Sequence, residues 1–311
     1  MKTRFVLTAL AILVLAAHAE SKPEYKDNSM QKPIINNVTK EKRKMSRIVF
    51  PENWSVDVWY GYKRHHFTVE GCEAWIVEPE YPAQDGRWTW CAQWAEAFVP
   101  RVGTVAYLDH GFYHGHVDVH RFRGNPKGME IMSKFQDIAV GLGLAQKTCL
   151  IGLSWGGFYS LRYAETYPDR VRSVYLDAPV CNAADPDISA ASRVKQICEQ
   201  WGMDVKQVKE SPLNPLNNAK ALADAKITVF AIVSGADNIV LPSLNFDLLE
   251  GQLKKQGAKI VALNDKNSVS ELKNLQKGSI YVLRRRPWAH HPHGLDNVTP
   301  LMQFHWNVCN E

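Results

Sequence analysis

One short stretch of this 311-residue chain constrains its fold more than any other. In "LIGLSWGGFY", residues 150–159, a run of apolar residues meets a serine flanked by glycines, and no spacer separates the two. Such an apolar run is typical of a strand buried on both faces, and the residues after it are typical of a helix. A strand that turns directly into a helix strains the backbone of Ser154, and Gly152 and Gly156 relieve the crowding. The pattern therefore predicts a nucleophile elbow, which presents a serine hydroxyl at the end of a sheet.

The segments on both sides of this turn alternate between strand and helix patterns. Strands are predicted in "FTVEGCEAWIVE", "RWTWCA", "TCLIGL", "RSVYLDAP", "ITVFAIVSG" and "GSIYVLR". Helices are predicted in "MEIMSKFQDIAVGLG", "WGGFYSLRYAETYP", "LNFDLLEGQLKKQG" and near 300–308. This alternation requires crossover connections, so we expect an α/β fold with a doubly wound, mostly parallel sheet and helices on both faces. A polar, partly helical stretch at about 181–222 interrupts the alternation and is predicted to form a small cap over the site.

The start of the chain has a different composition from the rest. Lys2 and Arg4 precede an apolar run that ends in a small-x-small cleavage signal, which predicts a signal peptide over 1–19. The apolar run is shorter than the roughly 20 residues that a membrane span needs, so we expect no span in the mature chain. Residues 20–47 are polar and lysine-rich, which predicts a linker before a single domain over 48–311. We therefore expect a secreted or periplasmic protein.

Charge and motifs exclude several classes of function. The formal net charge is +5, and removal of Lys2 and Arg4 with the signal peptide leaves 5 − 2 = +3. This charge is compatible with an acidic substrate but too weak to indicate nucleic acid as a partner. The sequence has no Walker pattern, no GxGxxG, no CxxC and no HExxH, so we expect neither a cofactor nor a metal site. The six cysteines leave two alternatives open in an oxidising compartment: a bridge, with Cys181 and Cys198 as the favoured pair, or buried thiols.

A serine nucleophile of this kind needs a base and an orienting acid, which follow it in the chain as Asp or Glu and then His. Asp237 follows the predicted strand "ITVFAIV" and is the favoured acid, with Asp177 at the end of "YLDAP" as the alternative. The histidine is expected in the loop "WAHHPHGL", after the last strand. His290 comes first and is the predicted base, His293 is the alternative, and His291 is expected to shape the loop.

The oxyanion hole has two candidate origins. The cluster "HGFYHGHVDVH" begins like an oxyanion turn, but "VAYLDHGF" has the pattern of a glycine-capped helix, which places His110 on that helix. We therefore predict the hole at the end of "RWTWCAQW", from backbone amides near Ala92 and Gln93 together with the amide of Trp155. Trp88, Trp90 and Trp94 lie near this predicted loop, and Trp201 lies in the predicted cap. Each of these rings either stacks on a bound substrate or belongs to the core.

Six segments together carry a family resemblance. "GCEAWIVEP", "GNPKGM", "IGLSWGGFYSLRYAETYPDRV", "YLDAPVC", "SGADNIVLP" and "AHHPHGLDNVTP" resemble the α/β-hydrolase superfamily. More narrowly, the chain is similar to exported bacterial esterases of polysaccharide breakdown, which include carbohydrate acetylesterases and pectin methylesterases. The resemblance extends from about Phe67 to the C-terminus. It implies Ser154 as the nucleophile, Asp237 as the acid and His290 as the base.

The resemblance implies a secreted serine esterase that forms an acyl-enzyme and removes acetyl or methyl groups from polysaccharide-derived sugars, without a cofactor. Its partner would be a small-molecule or oligosaccharide ester. The chain departs from the family pattern around Trp88–Trp94, where an arginine is expected in place of Cys91 or Gln93, so the resemblance does not extend to the substrate pocket. Two alternatives use the same fold: an exported serine peptidase and a non-catalytic binding protein.

Overall fold

The computed structural model describes residues 48–284, 290–291 and 294–310, so the predicted signal peptide and linker lie outside the described residues. The described strands are β1 (Ser55–Trp59), β2 (Tyr62–Val69), β3 (Cys72–Glu78), β4 (Trp88–Cys91), β5 (Tyr113–Val117), β6 (Thr148–Leu153), β7 (Val171–Asp177), β8 (Thr228–Val233), β9 (Ile260–Leu263) and β10 (Ile280–Arg284). The described α-helices are α1 (Thr104–Asp109), α2 (Pro126–Gly141), α3 (Trp155–Thr166), α4 (Ala191–Trp201), α5 (Val205–Glu210), α6 (Ala219–Asp224), α7 (Phe246–Lys255), α8 (Ser268–Lys273) and α9 (Thr299–Asn310). None of these helices has the length and apolar character that crossing a membrane would require.

All the strands belong to one sheet, with the order β1-β2-β3-β5-β4-β6-β7-β8-β10-β9. The pairs β1/β2, β2/β3 and β3/β5 are antiparallel. From β5 to β9 every neighbouring pair is parallel. The carboxyl ends of β6, β8 and β10 therefore meet at one edge of the sheet, and the loops after them can converge.

Helices cover both faces of the sheet. Successive residues of a strand point to opposite faces, and in β6 Leu150 packs into one apolar layer while Ile151 packs into the other. The first layer includes apolar residues of α2, α3 and α7, and the second includes those of α1, α8 and α9. The predicted fold class, an α/β fold with a doubly wound and mostly parallel sheet, is confirmed.

The structure adds features that the sequence patterns did not indicate. The segment predicted as one strand, "FTVEGCEAWIVE", is a hairpin of β2 and β3 that turns at Glu70 and Gly71, both with positive φ. Strands β1 and β9 lie at the two sheet edges. β1 is largely exposed and lacks the apolar pattern of a buried strand, whereas β9 is apolar but only four residues long. An apolar run that short does not distinguish a strand from a segment of helix.

The region predicted as a cap contains α4, α5 and α6, between β7 and β8. It contacts the segment between β5 and α2, because the indole nitrogen of Trp201 donates to the carbonyl of Arg123 over 2.9 Å. All six cysteines are free thiols, and the favoured Cys181–Cys198 bridge is absent. The thiol of Cys181 instead lies buried against the carbonyl of Pro179.

The packing of α2 on the sheet gives a prediction for stability. The ring of Phe135 is fully buried, with ring centroids 4.8 Å from Trp90 and 6.1 Å from Trp88. Phe135→Ala leaves a cavity between helix and sheet, and we expect it to lower the free energy of unfolding by about 3–5 kcal/mol in urea denaturation.

The matched control removes an aromatic ring from the surface. Tyr81 is 77% exposed, so Tyr81→Ala is expected to change the same free energy by no more than about 0.5 kcal/mol. Similar losses for the two variants would contradict the described position of Phe135.

Candidate active site

The turn between β6 and α3 holds Ser154 in a strained backbone conformation. Its φ is 50° and its ψ is −115°, a combination that non-glycine residues rarely adopt. Backbone hydrogen bonds fix the turn: the amide of Ser154 donates to the carbonyl of Asp177, and its carbonyl accepts from the amides of Gly157 and Val180, each over 3.0 Å. The structure thus places Ser154 at the carboxyl edge of the sheet, directly before the first residue of α3.

Three glycines allow this turn to pack. A Cβ atom on Gly152 would lie 2.7 Å from the Cα of Gly157, and one on Gly157 would lie 2.4 Å from the Cβ of Pro179. A Cβ on Gly156 would lie 3.0 Å from the carbonyl oxygen of Gln93. Strand, helix and the loop after β4 therefore come closer to one another than any side chain would permit.

A chain of two hydrogen-bonding contacts joins three residues that are distant in sequence. Nε2 of His291 lies 2.8 Å from Oγ of Ser154, and Nδ1 of the same ring lies 2.8 Å from Oδ2 of Asp237. When Nδ1 carries the ring proton, it donates to the carboxylate, and Nε2 can accept the serine proton. This arrangement has the geometry of a Ser-His-Asp triad.

The structure corrects the predicted position of the imidazole. His290 was the predicted base, but its side chain is exposed, and the ring between Ser154 and Asp237 is that of His291. The alternative, His293, lies outside the described residues. The order of three histidines in a loop gives no information about which ring turns inward, because that depends on the path of the loop backbone.

Asp237 has the environment of an orienting acid. It is buried in the loop after β8, where its Oδ1 accepts from the amides of Ile239 and Val240, each over 2.9 Å. One carboxylate oxygen is therefore held by the loop, and the other is directed at His291. The two backbone donors fix the carboxylate in one rotamer.

The rival candidate, Asp177, has a different partner in the histidine loop. Its Oδ2 accepts from the amide of Gly294 over 2.9 Å and from the hydroxyl of Tyr175 over 3.2 Å. Gly294 has a φ of 69°, and a Cβ there would lie 2.4 Å from the carbonyl oxygen of Arg101. Asp177 thus anchors the backbone of the loop that carries His291, and it contributes position rather than a contact to the imidazole.

Buried polar side chains brace the loops around the triad. Oδ2 of Asp185 accepts from Nδ2 of Asn245 over 2.8 Å and from the guanidinium of Arg193 over 3.0 Å. Oδ1 of Asn245 in turn accepts from the amides of Cys181 and Asn182. This network ties the segment after β7 to the segment after Asp237.

The predicted oxyanion amides lie near the elbow. The amide of Trp155 is the first of α3, and amides at a helix start have no partner within the helix. The amide of Ala92 donates to the carbonyl of Ile151 over 3.2 Å, so the sheet uses that donor. The backbone of Gln93 packs on Gly156, and its carbonyl accepts from the thiol of Cys91. The amides of Trp155 and Gln93 stay the predicted donors.

The histidines of "HGFYHGHVDVH" have structural partners. Nδ1 of His110 contacts the carbonyl of Ala106 in α1, as expected for a residue at the end of that helix. His114 is buried beside the hydroxyl of Thr89, and burial lowers its pKa to about 3. Within the described part of the chain, no group of three or more His, Cys, Asp and Glu side chains is arranged to hold a metal ion.

The tryptophans divide between the core and the site. Trp88 and Trp90 are fully buried under α2 and belong to the core. Trp94 is 42% exposed and follows the predicted oxyanion loop, with a φ of 63°. Trp201 is partly buried and packs on the core from the predicted cap. Sequence patterns could not separate these roles, because the burial of each ring depends on tertiary packing and not on its neighbours in the sequence.

The glycines of the turn give a second prediction. Gly152→Ala places a methyl group against backbone atoms of Gly156 and Gly157, so we expect α3 to shift and the free energy of unfolding to fall by about 1–3 kcal/mol. Chemical denaturation measures this change. The control is Gly251→Ala in α7, where a Cβ meets no atom within 4 Å and the better helix propensity of alanine adds up to about 1 kcal/mol. Equal tolerance of both substitutions would contradict the close approach at the turn.

Comparisons with known proteins agree with this architecture. A family model described as "alpha/beta hydrolase fold" matches residues 135–221. Among solved structures, an esterase/lipase from an uncultured bacterium superposes with a TM-score of 0.56 at 13% identity, over 82% of this chain and 87% of that one. An S-formylglutathione hydrolase from Agrobacterium tumefaciens gives a TM-score of 0.51 at 13% identity, over 82% and 97% of the two chains.

A longer protein shows the same similarity over part of its length. An acylaminoacyl peptidase from Pyrococcus horikoshii gives a TM-score of 0.52 at 12% identity over 79% of this chain, which spans only 40% of the peptidase. No curated protein matches the sequence. At such low identities the similarity concerns the fold, and together with the sheet order it shows that the chain has the alpha/beta hydrolase fold.

Proposed function

We propose that this protein is a serine ester hydrolase that acts through a covalent acyl-enzyme. The observation that carries the proposal is the contact chain from Ser154 through His291 to Asp237, with both links at 2.8 Å. A serine hydroxyl is a weak nucleophile by itself, and a neighbouring imidazole held by a carboxylate is the arrangement that activates it.

The chemistry follows from these positions. As Oγ of Ser154 attacks the ester carbonyl, its proton passes to Nε2 of His291, and Asp237 stabilises the imidazolium that forms. The negative oxygen of the tetrahedral intermediate is held by the amides of Trp155 and Gln93, at the positive end of α3. The imidazolium then protonates the leaving alcohol. A water molecule, deprotonated by the same imidazole, attacks the acyl-enzyme and releases the acid.

We further propose an exported enzyme that removes acetyl or methyl groups from sugars derived from polysaccharides. The support for export is the signal-peptide pattern over 1–19. The support for a sugar substrate is the family resemblance and the exposed ring of Trp94 beside the predicted oxyanion loop. An aromatic face of this kind packs on the apolar face of a sugar ring.

A serine peptidase is the second candidate, because the same triad can cleave an amide bond and the acylaminoacyl peptidase shares this fold. An amide needs the imidazolium to protonate a poorer leaving group, but it needs no further catalytic residue. Turnover of aminoacyl 4-nitroanilides, compared with 4-nitrophenyl acetate and with acetylated or methyl-esterified oligosaccharides, separates the two activities. Released acetate and methanol, measured separately, distinguish the two kinds of ester.

The test of the triad compares neighbouring histidines. Ser154→Ala and His291→Ala are each expected to lower kcat for 4-nitrophenyl acetate by about 10⁴-fold or more, because each removes a member of the proton-transfer unit. His290→Ala is the matched control, one residue away in the same loop, and is expected to keep the activity of the unmodified protein.

Two outcomes would contradict the proposal. Equal rates for Ser154→Ala and the unmodified protein would mean that the hydroxyl of Ser154 is not the nucleophile and would favour a binding protein. A loss of activity in His290→Ala, with activity retained in His291→Ala, would mean that His290 is the base.

A further inference from the structure

A group of aromatic rings lies next to the nucleophile. We call it the aromatic wall and define it by Trp94, His120, Trp155 and Tyr159. Trp155 directly follows Ser154, and its ring centroid is 5.6 Å from that of His120 and 5.8 Å from that of Tyr159. The exposed ring of Trp94 extends the wall, 5.9 Å from His120. The wall therefore begins at the residue after the nucleophile and ends at the solvent.

A single guanidinium group lies against this wall. The Cζ atom of Arg123 is 5.5 Å from the ring centroid of Trp155, and one of its nitrogens donates to the carbonyl of His120. Most arginines among the described residues pair with a carboxylate, as Arg64, Arg170 and Arg284 do. Arg123 has no carboxylate within 4 Å anywhere in the described ranges. The described residues thus leave its positive charge without a carboxylate partner, and the donors that His120 does not use can bind a carboxylate from outside.

The backbone around the wall is strained at three points. Trp94, Arg123 and Ser154 all have positive φ values, of 63°, 46° and 50°, although none of them is a glycine. Such strain persists only where the surrounding structure enforces it, and it concentrates at functional sites. The indole of Trp201 enforces it at Arg123 by donating to the carbonyl of that residue. The predicted cap thus holds the guanidinium in place.

His120, the histidine of the aromatic wall, carries no positive charge near neutral pH. Burial and the charge of Arg123 lower the pKa of His120 to about 4, so its ring is neutral at pH 7. The carboxylate of Asp118 accepts from the amide of His120 and forms no salt bridge with Arg123. The guanidinium of Arg123, which lies against the aromatic wall, is therefore the group there that can attract an anion.

We propose that Arg123 and the aromatic wall form a binding subsite for the acidic sugar of an ester substrate. The guanidinium binds a free carboxylate on that sugar, and the rings of Trp94 and Trp155 pack against its apolar face. This inference rests on the proposed function, because it assigns a substrate class to the same triad: esters of uronic-acid-type sugars, in preference to esters of neutral sugars.

The test uses two substrates that differ in one group. An acetylated methyl glucoside carries a hydroxymethyl group where the acetylated methyl glucuronoside carries a carboxylate. The unmodified protein is expected to hydrolyse the acidic ester with a kcat/KM about 10 to 100-fold higher, the range of one charge-assisted hydrogen-bonded pair, with most of the difference in KM.

Arg123→Gln is expected to remove this preference and to leave the neutral ester unaffected, while Arg123→Lys retains part of it. The matched control is Arg121→Gln, which removes the same charge two residues away at an exposed position. If Arg121→Gln removes the preference equally, the effect is general electrostatic attraction, and the subsite is rejected. An equal loss on both esters in Arg123→Gln also rejects it, because the residue then acts through the structure.

A binding measurement separates this inference from the proposed function. In the Ser154→Ala protein, methyl glucuronoside is expected to quench tryptophan fluorescence, and the quenching should disappear in Ser154→Ala/Arg123→Gln and weaken in Ser154→Ala/Trp94→Phe. Methyl glucoside should quench far less. Saturable quenching without any Ser154-dependent hydrolysis supports the subsite and rejects the esterase. Ser154-dependent hydrolysis with no preference for the acidic sugar and no quenching overturns the subsite and leaves the esterase intact.

Discussion

The close contact between β6 and α3 is the constraint on which the site depends. A strand can pass into a helix without a loop only if the two backbones nearly touch, and glycines at 152, 156 and 157 permit that contact. The cost is a left-handed Ser154, about 1–3 kcal/mol for a non-glycine residue. Hydrogen bonds from the neighbouring β7 segment offset it. The result is a hydroxyl whose position is fixed by the sheet itself, and not by a flexible loop.

Two aspartates at adjacent strand ends then fix the imidazole. Asp237 holds the ring of His291 through a side-chain contact, and Asp177 holds the loop backbone through the amide of Gly294. The first sets the tautomer and orientation of the ring, and the second sets where the loop passes. Because β7 lies between β6 and β8, both carboxylates lie on the same side of the sheet as the elbow. Each contacts a different part of the histidine loop. Asp177, the alternative candidate for the acid, thus has a role that complements that of Asp237.

The same contacts explain how far sequence reasoning reaches. The positions of Ser154 and Asp237 were predictable because Ser154 directly follows β6 and Asp237 lies in the loop after β8, and strand patterns are strong in buried parallel sheets. The choice among His290, His291 and His293 was not predictable, because long-range contacts of Gly294 with Asp177 and Arg101 set the loop path. Strands β1 and β9 were missed for other reasons: β1 is an exposed edge without the apolar pattern that identified the others, and the apolar run of β9 is only four residues long.

The arginine beside the aromatic wall was equally unpredictable from the sequence. Nothing in "HRFRGNP" distinguishes Arg121 from Arg123, since the two arginines flank one phenylalanine in a short polar turn. The fold separates them. Arg121 is exposed, with its guanidinium 4.9 Å from the ring of Phe122, whereas the left-handed backbone at Arg123 directs that guanidinium to the ring next to the nucleophile. Trp201, which fixes that backbone, comes from the segment inserted after β7. The insertion therefore reaches both parts of the site: its Trp201 holds the backbone of the arginine that we propose binds substrate, and its Arg193 braces, through Asp185 and Asn245, the segment that follows Asp237.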